Sequence, residues 1–278
     1  MKQAMLSLVA LTLLMSTSCL AGSKIIATGG ATNIEGSAGG GIVPWAVING
    51  YGSSDEWAAT AFASQVGVDD FTLRSIGASI SYDNNWEWSI ARQTFKLDSL
   101  GGELRQDVVG VKYHIAGELL YTSAPQLSLG LQYKKHRDFA LPQAIGARDS
   151  SGIDLYIAAT KVLLNAVAGR NVLLNGTLRA TKANQTGLLG FGTAQSNDYQ
   201  LLFEGSAAIL VNYNVAVGME FKQKPNELAF ANEQHWRDAF VAWFINKNLS
   251  VTAGYVDLGN IAGFANQQGY YLSVEGAW

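Results

Sequence analysis

The chain has 278 residues, with 19 lysines and arginines against 22 aspartates and glutamates, and a formal net charge of −3 at pH 7. This balance argues against a nucleic-acid partner, because proteins that bind nucleic acid present a strongly basic surface. Charged residues make up only 15% of the chain, against about 25% in a typical soluble domain. No segment after Ala21 approaches the roughly 18 uninterrupted apolar residues of a membrane helix.

The first residues have the pattern of a secretory signal peptide over 1–21. A short positive start precedes an apolar run that is too short to span a bilayer, and small residues lead to a cleavage position after Ala21. We expect a mature chain that forms one domain over 22–278. Lipidation of Cys19 is the competing interpretation, but Ser16 stands where a lipobox usually has leucine. Cleavage after Ala21 removes the only cysteine, which excludes disulfides and thiolate chemistry.

Residues 22–41 are rich in glycine and have two possible roles. They form either a first β-strand, over Lys24–Ile34, or a plug folded into the interior of the protein. The glycines at 39–41 permit positive φ angles and close backbone approach, so they can form a tight turn or line a constriction. This run lacks the Lys-Ser/Thr of a phosphate-binding loop, and Gly29-Gly30 lacks the dinucleotide-binding spacing. No cofactor is therefore expected.

From residue 109 onward, apolar and polar side chains alternate with the period of a β-strand. Leu127, Leu129 and Leu131, for example, alternate with Ser128 and Gly130. The same alternation occurs at 109–115, 153–157, 172–178, 201–209, 215–221, 239–245 and 249–255. A soluble sandwich can contain several such strands, but a chain made almost entirely of them favours a closed barrel. We predict an all-β fold, an antiparallel transmembrane β-barrel of about 12 to 14 strands.

The predicted connections alternate between short and long, as they do in bacterial barrels with short periplasmic turns and long outer loops. Short connections are expected at 83–85, 211–214 and 246–248, and long ones at 137–152, 183–198, 225–236 and 259–268. Two connections break this rule, since 117–126 is long and 68–70 is short. About 13 strands follow Val43. Counting the glycine-rich segment as a strand gives about 14, whereas a plug and one miscounted strand give 12.

The last nine residues alternate in the same way and end on an aromatic residue. Tyr270, Leu272 and Val274 share one face with Trp278. This ending resembles the closing strand of Gram-negative outer-membrane β-barrels, whose terminal aromatic residue is read during assembly. The resemblance implies location in the outer membrane after signal-peptide cleavage, contact with outer-membrane lipid, and recognition of Trp278 by the assembly machinery. The alternative is an edge strand of a soluble sheet.

A second resemblance lies in the amino-terminal motif. Thr28–Gly36, Ala38–Gly41, Pro44–Ala46 and Gly50–Gly52 are similar to the opening of an uncharacterised family of secreted Gram-negative proteins, domain of unknown function 3034. This similarity extends over most of the mature chain. It implies no known activity and no known functional residues.

Charged side chains recur on the face of the strands that is predicted to point away from lipid. These candidate pore-lining residues are Glu87, Lys112, His114, Lys134, Asp154, Arg179, Glu204, Glu220, Lys222 and Glu275. Such groups are costly in a dry core unless paired, but are expected in a watery or salt-bridged lumen. We predict a passive channel or transporter for small or amphipathic solutes. If the charges pair across the lumen, the alternative is a non-conducting structural or envelope protein.

A third possibility is an outer-membrane barrel enzyme that uses histidine chemistry. His114, His136 and His235 have no metal-ligand spacing, which predicts no metal site. His136 lies near Asp138, and His235 lies between acidic residues, but neither segment has a recognisable hydrolase motif. We therefore expect solvated loop residues, no catalytic residue and no enzymatic activity.

Two basic features lie near the predicted outer rim. The run Lys134–Arg137 suggests contact with lipopolysaccharide phosphates, although a solvated loop edge is the favoured interpretation. Arg92 shares its strand face with Trp88 and Ile90, so simple alternation directs it at lipid. A bulge or a side chain extended to the rim is expected there. The sequence predicts neither the solute nor the oligomeric state.

Overall fold

A computed structural model describes residues 24–194, 196–228 and 231–278. The predicted signal peptide, Cys19 and the cleavage site lie outside these ranges. Within them, no helix is long and apolar enough to cross a membrane.

Twelve antiparallel strands form one closed barrel. They are β1 (Trp57–Val68), β2 (Phe71–Tyr82), β3 (Trp86–Leu97), β4 (Glu103–Ala116), β5 (Gln126–His136), β6 (Ser151–Val167), β7 (Arg170–Thr181), β8 (Gln200–Leu210), β9 (Val215–Lys222), β10 (Trp236–Asn246), β11 (Leu249–Asp257) and β12 (Gln268–Ala277). Each strand pairs with its neighbours along the chain, and β12 pairs with β1. The Trp278 and Ala59 amides and carbonyls exchange two hydrogen bonds of 2.9 Å, so closure extends to the last residue. The predicted fold class is confirmed, with a strand number at the lower end of the expected range.

The alternation of side chains explains both faces of the wall. In β7, Leu174 and Leu178 point outward and are 45% and 44% exposed, while Asn175 and Thr177 between them are buried. Because successive side chains of a strand point to opposite faces, this pattern creates an apolar outer surface and a polar interior. A soluble protein has the reverse arrangement.

The connections fall into two groups at opposite ends of the barrel. At the terminal end, where β1 begins and β12 ends, the connections are 83–85, 117–125, 168–169, 211–214 and 247–248. The opposite end carries 69–70, 98–102, 137–150, 182–199, 223–235 and 258–267. The long opposite-end connections include a helix at Ala140–Ala144, a 3-10 turn at Asn184–Gly187 and paired strands at Ala147–Asp149 and Phe191–Thr193. The predicted alternation is present, including its two exceptions.

Residues 24–50 are not part of the wall, and we call them the plug. Almost every side chain from 29 to 50 is buried, and the short strands Ala31–Thr32 and Ala38–Gly39 pair with each other. The backbone of the plug bonds to inward-facing side chains instead of extending the sheet. The first of the two predicted roles, a strand over Lys24–Ile34, is therefore absent from the wall. The count of 13 strands after Val43 was also wrong, because the residues up to Gly50 belong to the plug.

Candidate functional site

Nine of the ten predicted pore-lining residues are buried inside the barrel, with His114 the exception. His114 is half-buried near the terminal end, where its Nε2 lies 3.2 Å from the Ala116 carbonyl and 3.0 Å from that of Gly117. The other nine do not surround an open space. Most of them contact the plug, and three groups of contacts account for this.

The first group surrounds Glu35 of the plug, close to the opposite end. Glu35 Oε1 lies 2.5 Å from Lys134 Nζ, and its Oε2 lies 2.9 Å from Arg179 Nη2 and 3.3 Å from Lys222 Nζ. All four side chains are at most 3% exposed. We call this arrangement, together with Asp154 and Glu204, the Glu35 cage.

The wall carboxylates of the cage bind the same cations. Arg179 Nε donates to Glu204 at 2.6 Å and Nη1 to Asp154 at 3.1 Å, while Lys134 lies 2.7 Å from Asp154. The cage thus contains three cations and three carboxylates. Burial alone raises the pKa of Glu35, but Arg179, Lys134 and Lys222 outweigh it and hold that pKa well below its ordinary value. Glu35 is therefore a carboxylate at neutral pH.

The second group lies close to the terminal end, where Lys112 Nζ and Glu87 Oε2 are 3.3 Å apart and both side chains are 1% exposed. This Glu87–Lys112 pair binds the plug through its backbone. Lys112 donates to the carbonyls of Ala38 and Val47, each at 3.0 Å. Glu87 accepts from the amides of Ala38 at 3.1 Å and Asn49 at 2.9 Å.

The third group lies between the other two and contacts the glycine run at 39–41. Glu220 accepts from the Ile42 amide and the Ser206 hydroxyl, each at 2.7 Å. A Cβ on Gly40 would lie 2.1 Å from Glu220 Oε1, so a larger residue there would displace the Glu220 carboxylate from its present position. Asp238, which was not among the predicted pore-lining residues, is buried beside Gly41, with its Oδ2 3.3 Å from the position of a Cβ on that glycine.

Uncharged wall side chains bind the remaining polar atoms of the middle of the plug. The carbonyl of Ala46 accepts from Ser128 and from Gln126 at 2.9 Å, and its amide donates to Thr160 at 2.7 Å. The Trp45 indole donates to a wall serine at 2.9 Å. Buried backbone groups need partners, and here the wall supplies them.

A cavity of about 550 Å³ opens at the terminal end of the barrel. It is lined by residues from the terminal-end connections, among them Asp83 and Leu119, and reaches Val47 and Ile48 of the plug. Lys24 lies at its wall and donates to the carbonyls of Ile48 and Gly50, each at 3.3 Å. Burial lowers the pKa of Lys24 to about 8. From this side the plug closes a water-accessible vestibule.

Three connections cover the opposite end and are joined by Lys224. Its Nζ lies 3.0 Å from Glu233 Oε2 and donates to the carbonyls of Leu258 at 3.2 Å and Asn260 at 2.8 Å. It also contacts Gln185 at 3.4 Å. Burial lowers the pKa of Lys224 to about 8, with Glu233 opposing the shift.

The histidines that were considered for catalysis have structural partners. His136 is buried, and its Nε2 lies 2.7 Å from the Leu188 carbonyl, while its Nδ1 accepts from the Asp138 amide at 3.3 Å. His235 Nδ1 accepts from the Lys224 amide at 3.4 Å. In the part of the chain that the structure describes, no three His, Cys, Asp or Glu side chains form a group suited to a metal ion.

The expected exposed cluster at Lys134–Arg137 was wrong, whereas Arg92 faces outward as strand alternation predicts and lacks only the bulge, which was one of its two predicted explanations. The run Lys134–Arg137 is not one exposed cluster, because strand alternation buries Lys134 and His136 and exposes only the other two side chains. Arg92 does face outward, but β3 and β4 pair there without a bulge. Its Nε lies 2.8 Å from Asp107 Oδ1, and Asp107 also pairs with Arg137. An ion pair near the rim therefore accommodates Arg92.

Sequence comparison identifies one family. A model of the family described as "Protein of unknown function (DUF3034)" matches residues 28–275, which is most of the chain and includes both plug and barrel. No curated protein matches the sequence.

Several solved structures resemble the fold at low identity. The KdgM porin is 10% identical, with a TM-score of 0.49 over 80% of this chain and 99% of the porin chain. The NanC porin is 12% identical, with a TM-score of 0.48 over 80% and 98% of the two chains. The outer membrane protein Omp33 of Acinetobacter baumannii is 12% identical, with a TM-score of 0.47 over 81% and 100%. All of them are similar to the chain in barrel architecture.

Proposed function

The chain belongs to the DUF3034 family, and we propose that it is an outer-membrane channel for small or amphipathic solutes whose lumen is closed by its own plug. The outward apolar face supports membrane insertion. Leu201 and Met219, for example, are 69% and 65% exposed, and a continuous apolar surface of this kind is unfavourable in water. Lipid is its natural environment.

The chemistry of the interface between plug and wall carries the proposal. A protein that needs only a filled interior is most simply stabilised by apolar side chains, because these require no partners. Here the wall also meets the plug with charged and hydroxyl groups, including Lys112, Glu220 and Thr160, beside an apolar cluster that plug and wall share. Water can solvate these groups when the plug leaves, so the barrel can keep its wall and open its lumen. A polar lumen that lets water through is what a channel needs.

We also propose a location in the outer membrane and contacts with lipid, lipopolysaccharide and the assembly machinery. Outer-membrane lipid is expected to surround the apolar face, and lipopolysaccharide is expected at the opposite end, where Lys135 and Arg137 are exposed. Recognition of Trp278 by the assembly machinery is also part of the proposal, and its exposure of 44% is compatible with such contact. No catalytic step is proposed, because the imidazoles of His136 and His235 bond to the backbone groups described above and pack against phenylalanine rings.

Planar-bilayer recording of the full chain tests the proposal. We expect rare conductance steps in the wild type and frequent steps in Glu35→Gln, which removes the charge that the cage neutralises. Glu103→Gln is the matched control, because Glu103 is exposed at the beginning of β4. Frequent openings should be absent from this control.

A non-conducting envelope protein is the second candidate. It is favoured by the completeness of the polar contacts, since every cation of the Glu35 cage has at least two partners. Heat-modifiable migration in gel electrophoresis would show that Glu35→Gln protein is folded. If this folded variant gives no conductance steps, the result supports the non-conducting protein against the channel.

A further inference from the structure

The Glu35 cage differs from the other contacts between plug and wall described above, because here the plug contributes a charged side chain. Glu35 is the only charged residue between Lys24 and Asp55. It meets cations from β5, β7 and β9, which are fixed by the barrel wall. A single carboxylate on a movable segment thus occupies a site that the wall builds.

The charge balance shows what the wall lacks when Glu35 leaves. Lys134, Arg179 and Lys222 then face only Asp154 and Glu204, so three cations stand against two carboxylates. Buried donors without acceptors are costly, and an excess positive charge in a confined, weakly screened space attracts an anion. The wall therefore forms an anion site that is complete only when a carboxylate is bound.

We propose that the Glu35 cage is the binding site for the carboxylate group of an anionic solute, and that Glu35 is a built-in competitor which occupies it in the closed state. The inference rests on the proposed channel function, because a solute reaches the cage through the lumen. A solute carboxylate accepts the hydrogen bonds that Glu35 now accepts, from Lys134 Nζ, Arg179 Nη2 and Lys222 Nζ. The rest of the solute takes the space of the departing plug.

The geometry favours a carboxylate over a neutral solute. Arg179 is already oriented by Glu204 through Nε, at 2.6 Å, and by Gln132 through Nη1, at 2.8 Å. Its Nη2 donates to Glu35 at 2.9 Å and also to Glu204 at 3.3 Å. A preorganised guanidinium donor between two ammonium groups is suited to an anionic oxygen pair, whereas a hydroxyl group does not neutralise the excess charge.

The cage also lies close to the opposite end, beneath the connections that cover it. A small cavity borders it, lined by Thr181, Thr186, Gln223 and Pro225 together with the cage residues. Lys134 donates to the Thr186 carbonyl at 3.1 Å, which links the cage to the 182–199 connection. Binding of a carboxylate and release of the plug are then coupled, because both require the same three donors.

Calorimetric titration of the purified, folded full chain with D-glucuronate tests the site directly. We expect Glu35→Gln to bind D-glucuronate at least about tenfold more tightly than the wild type, because the competing carboxylate is gone; this corresponds to about 1.4 kcal/mol. Neither protein should bind D-glucose, which lacks the carboxylate. The exposed Glu103→Gln variant should match the wild type. Equal affinities of folded Glu35→Gln and wild type for D-glucuronate would overturn the inference.

A second measurement leaves Glu35 in place and covers the case in which Glu35→Gln fails to fold. Ser37 lies in the plug, is 1% exposed and differs from cysteine by one atom. In a Cys19→Ser background, maleimide labelling of Ser37→Cys should be slow and should accelerate at least about tenfold with D-glucuronate, the same free-energy step. D-glucose should leave the rate unchanged. Labelling that does not respond to D-glucuronate would overturn the inference.

These readouts separate the two proposals, because neither depends on conductance. A protein that binds D-glucuronate and releases its plug, yet never conducts, contradicts the channel and retains the carboxylate site. A protein that conducts when Glu35 is replaced, yet does not bind D-glucuronate, retains the channel and contradicts the site.

Discussion

The two ends of the plug are held by opposite means. At the Glu35 cage, wall cations bind a plug side chain, whereas the Glu87–Lys112 pair binds plug amides and carbonyls. A side-chain carboxylate can be replaced by the same group on another molecule, because the donors do not distinguish its source. Backbone contacts to two separated plug residues, Ala38 and Asn49, cannot be reproduced so simply. The Glu35 cage is thus suited to the exchange of one carboxylate for another, and the Glu87–Lys112 pair is suited to anchoring the plug.

The two ends of the plug also depend on different features of the amino-acid sequence. Backbone contacts require that the plug fit closely, and a Cβ on Gly39 would lie 2.2 Å from the Val43 carbonyl oxygen. The hairpin at this point therefore depends on glycine. The cage instead depends on one side chain, Glu35, held by cations on three strands.

The largest effect is expected from Arg179→Met. This change leaves Glu35, Glu204 and Asp154 facing only Lys134 and Lys222 in a buried site, and breaking a buried ion network costs about 5 kcal/mol, the upper end of the usual range. The free energy of unfolding in urea, measured in lipid vesicles, checks this value. Arg148→Met, at an exposed position, is the control. A loss no larger than that of the control would show that the cage does not stabilise the closed state.

Lys112→Met should have a smaller effect on the same measurement. Glu87 loses its cation but keeps the amides of Ala38 and Asn49 as donors, so we expect a loss of about 3 kcal/mol, the lower end of the range for a broken buried pair. Hydrogen exchange should accelerate at these two amides and remain slow for the Ile42 amide, which bonds to Glu220. Uniform acceleration over the whole plug would contradict two independent attachments.

The wall was predictable from the sequence, because each strand carries its own period-2 signal. Arg179 and Glu204 could be placed inside by parity alone, without knowing what they contact. The plug has no such period, since its conformation is set by the side chains around it and not by its own pattern. Glu35 was missed for that reason: its cation Lys134 is 99 residues away in the chain. Asp238 was not placed on the inward face because it lies near the beginning of β10, one residue before the stretch 239–245 over which the alternation was recognised.

The smallest effect is expected at an ion pair of similar chemistry on the outer face. The side chains of Arg92 and Asp107 are 53% and 28% exposed, against 1% for both members of the Glu87–Lys112 pair. Exposed pairs contribute little, because water and lipid headgroups solvate each partner once the other is removed. Asp107→Ala should therefore lower the free energy of unfolding in lipid vesicles much less than Lys112→Met does. Asp69→Ala, at an exposed turn of the same end, is the control.

The same variant also reports where the hydrocarbon begins. Asp107 neutralises both Arg92 and Arg137, so its loss leaves two outward-facing guanidinium groups without a carboxylate. Cations facing the bilayer midplane are destabilising, and the cost falls towards zero near the interface. A small loss for Asp107→Ala places this level of β3 and β4 among headgroups, as expected for the rim of the opposite end. A loss as large as that of Lys112→Met would instead place Arg92 within the hydrocarbon, and the boundary of the membrane would then lie closer to the loops of the opposite end.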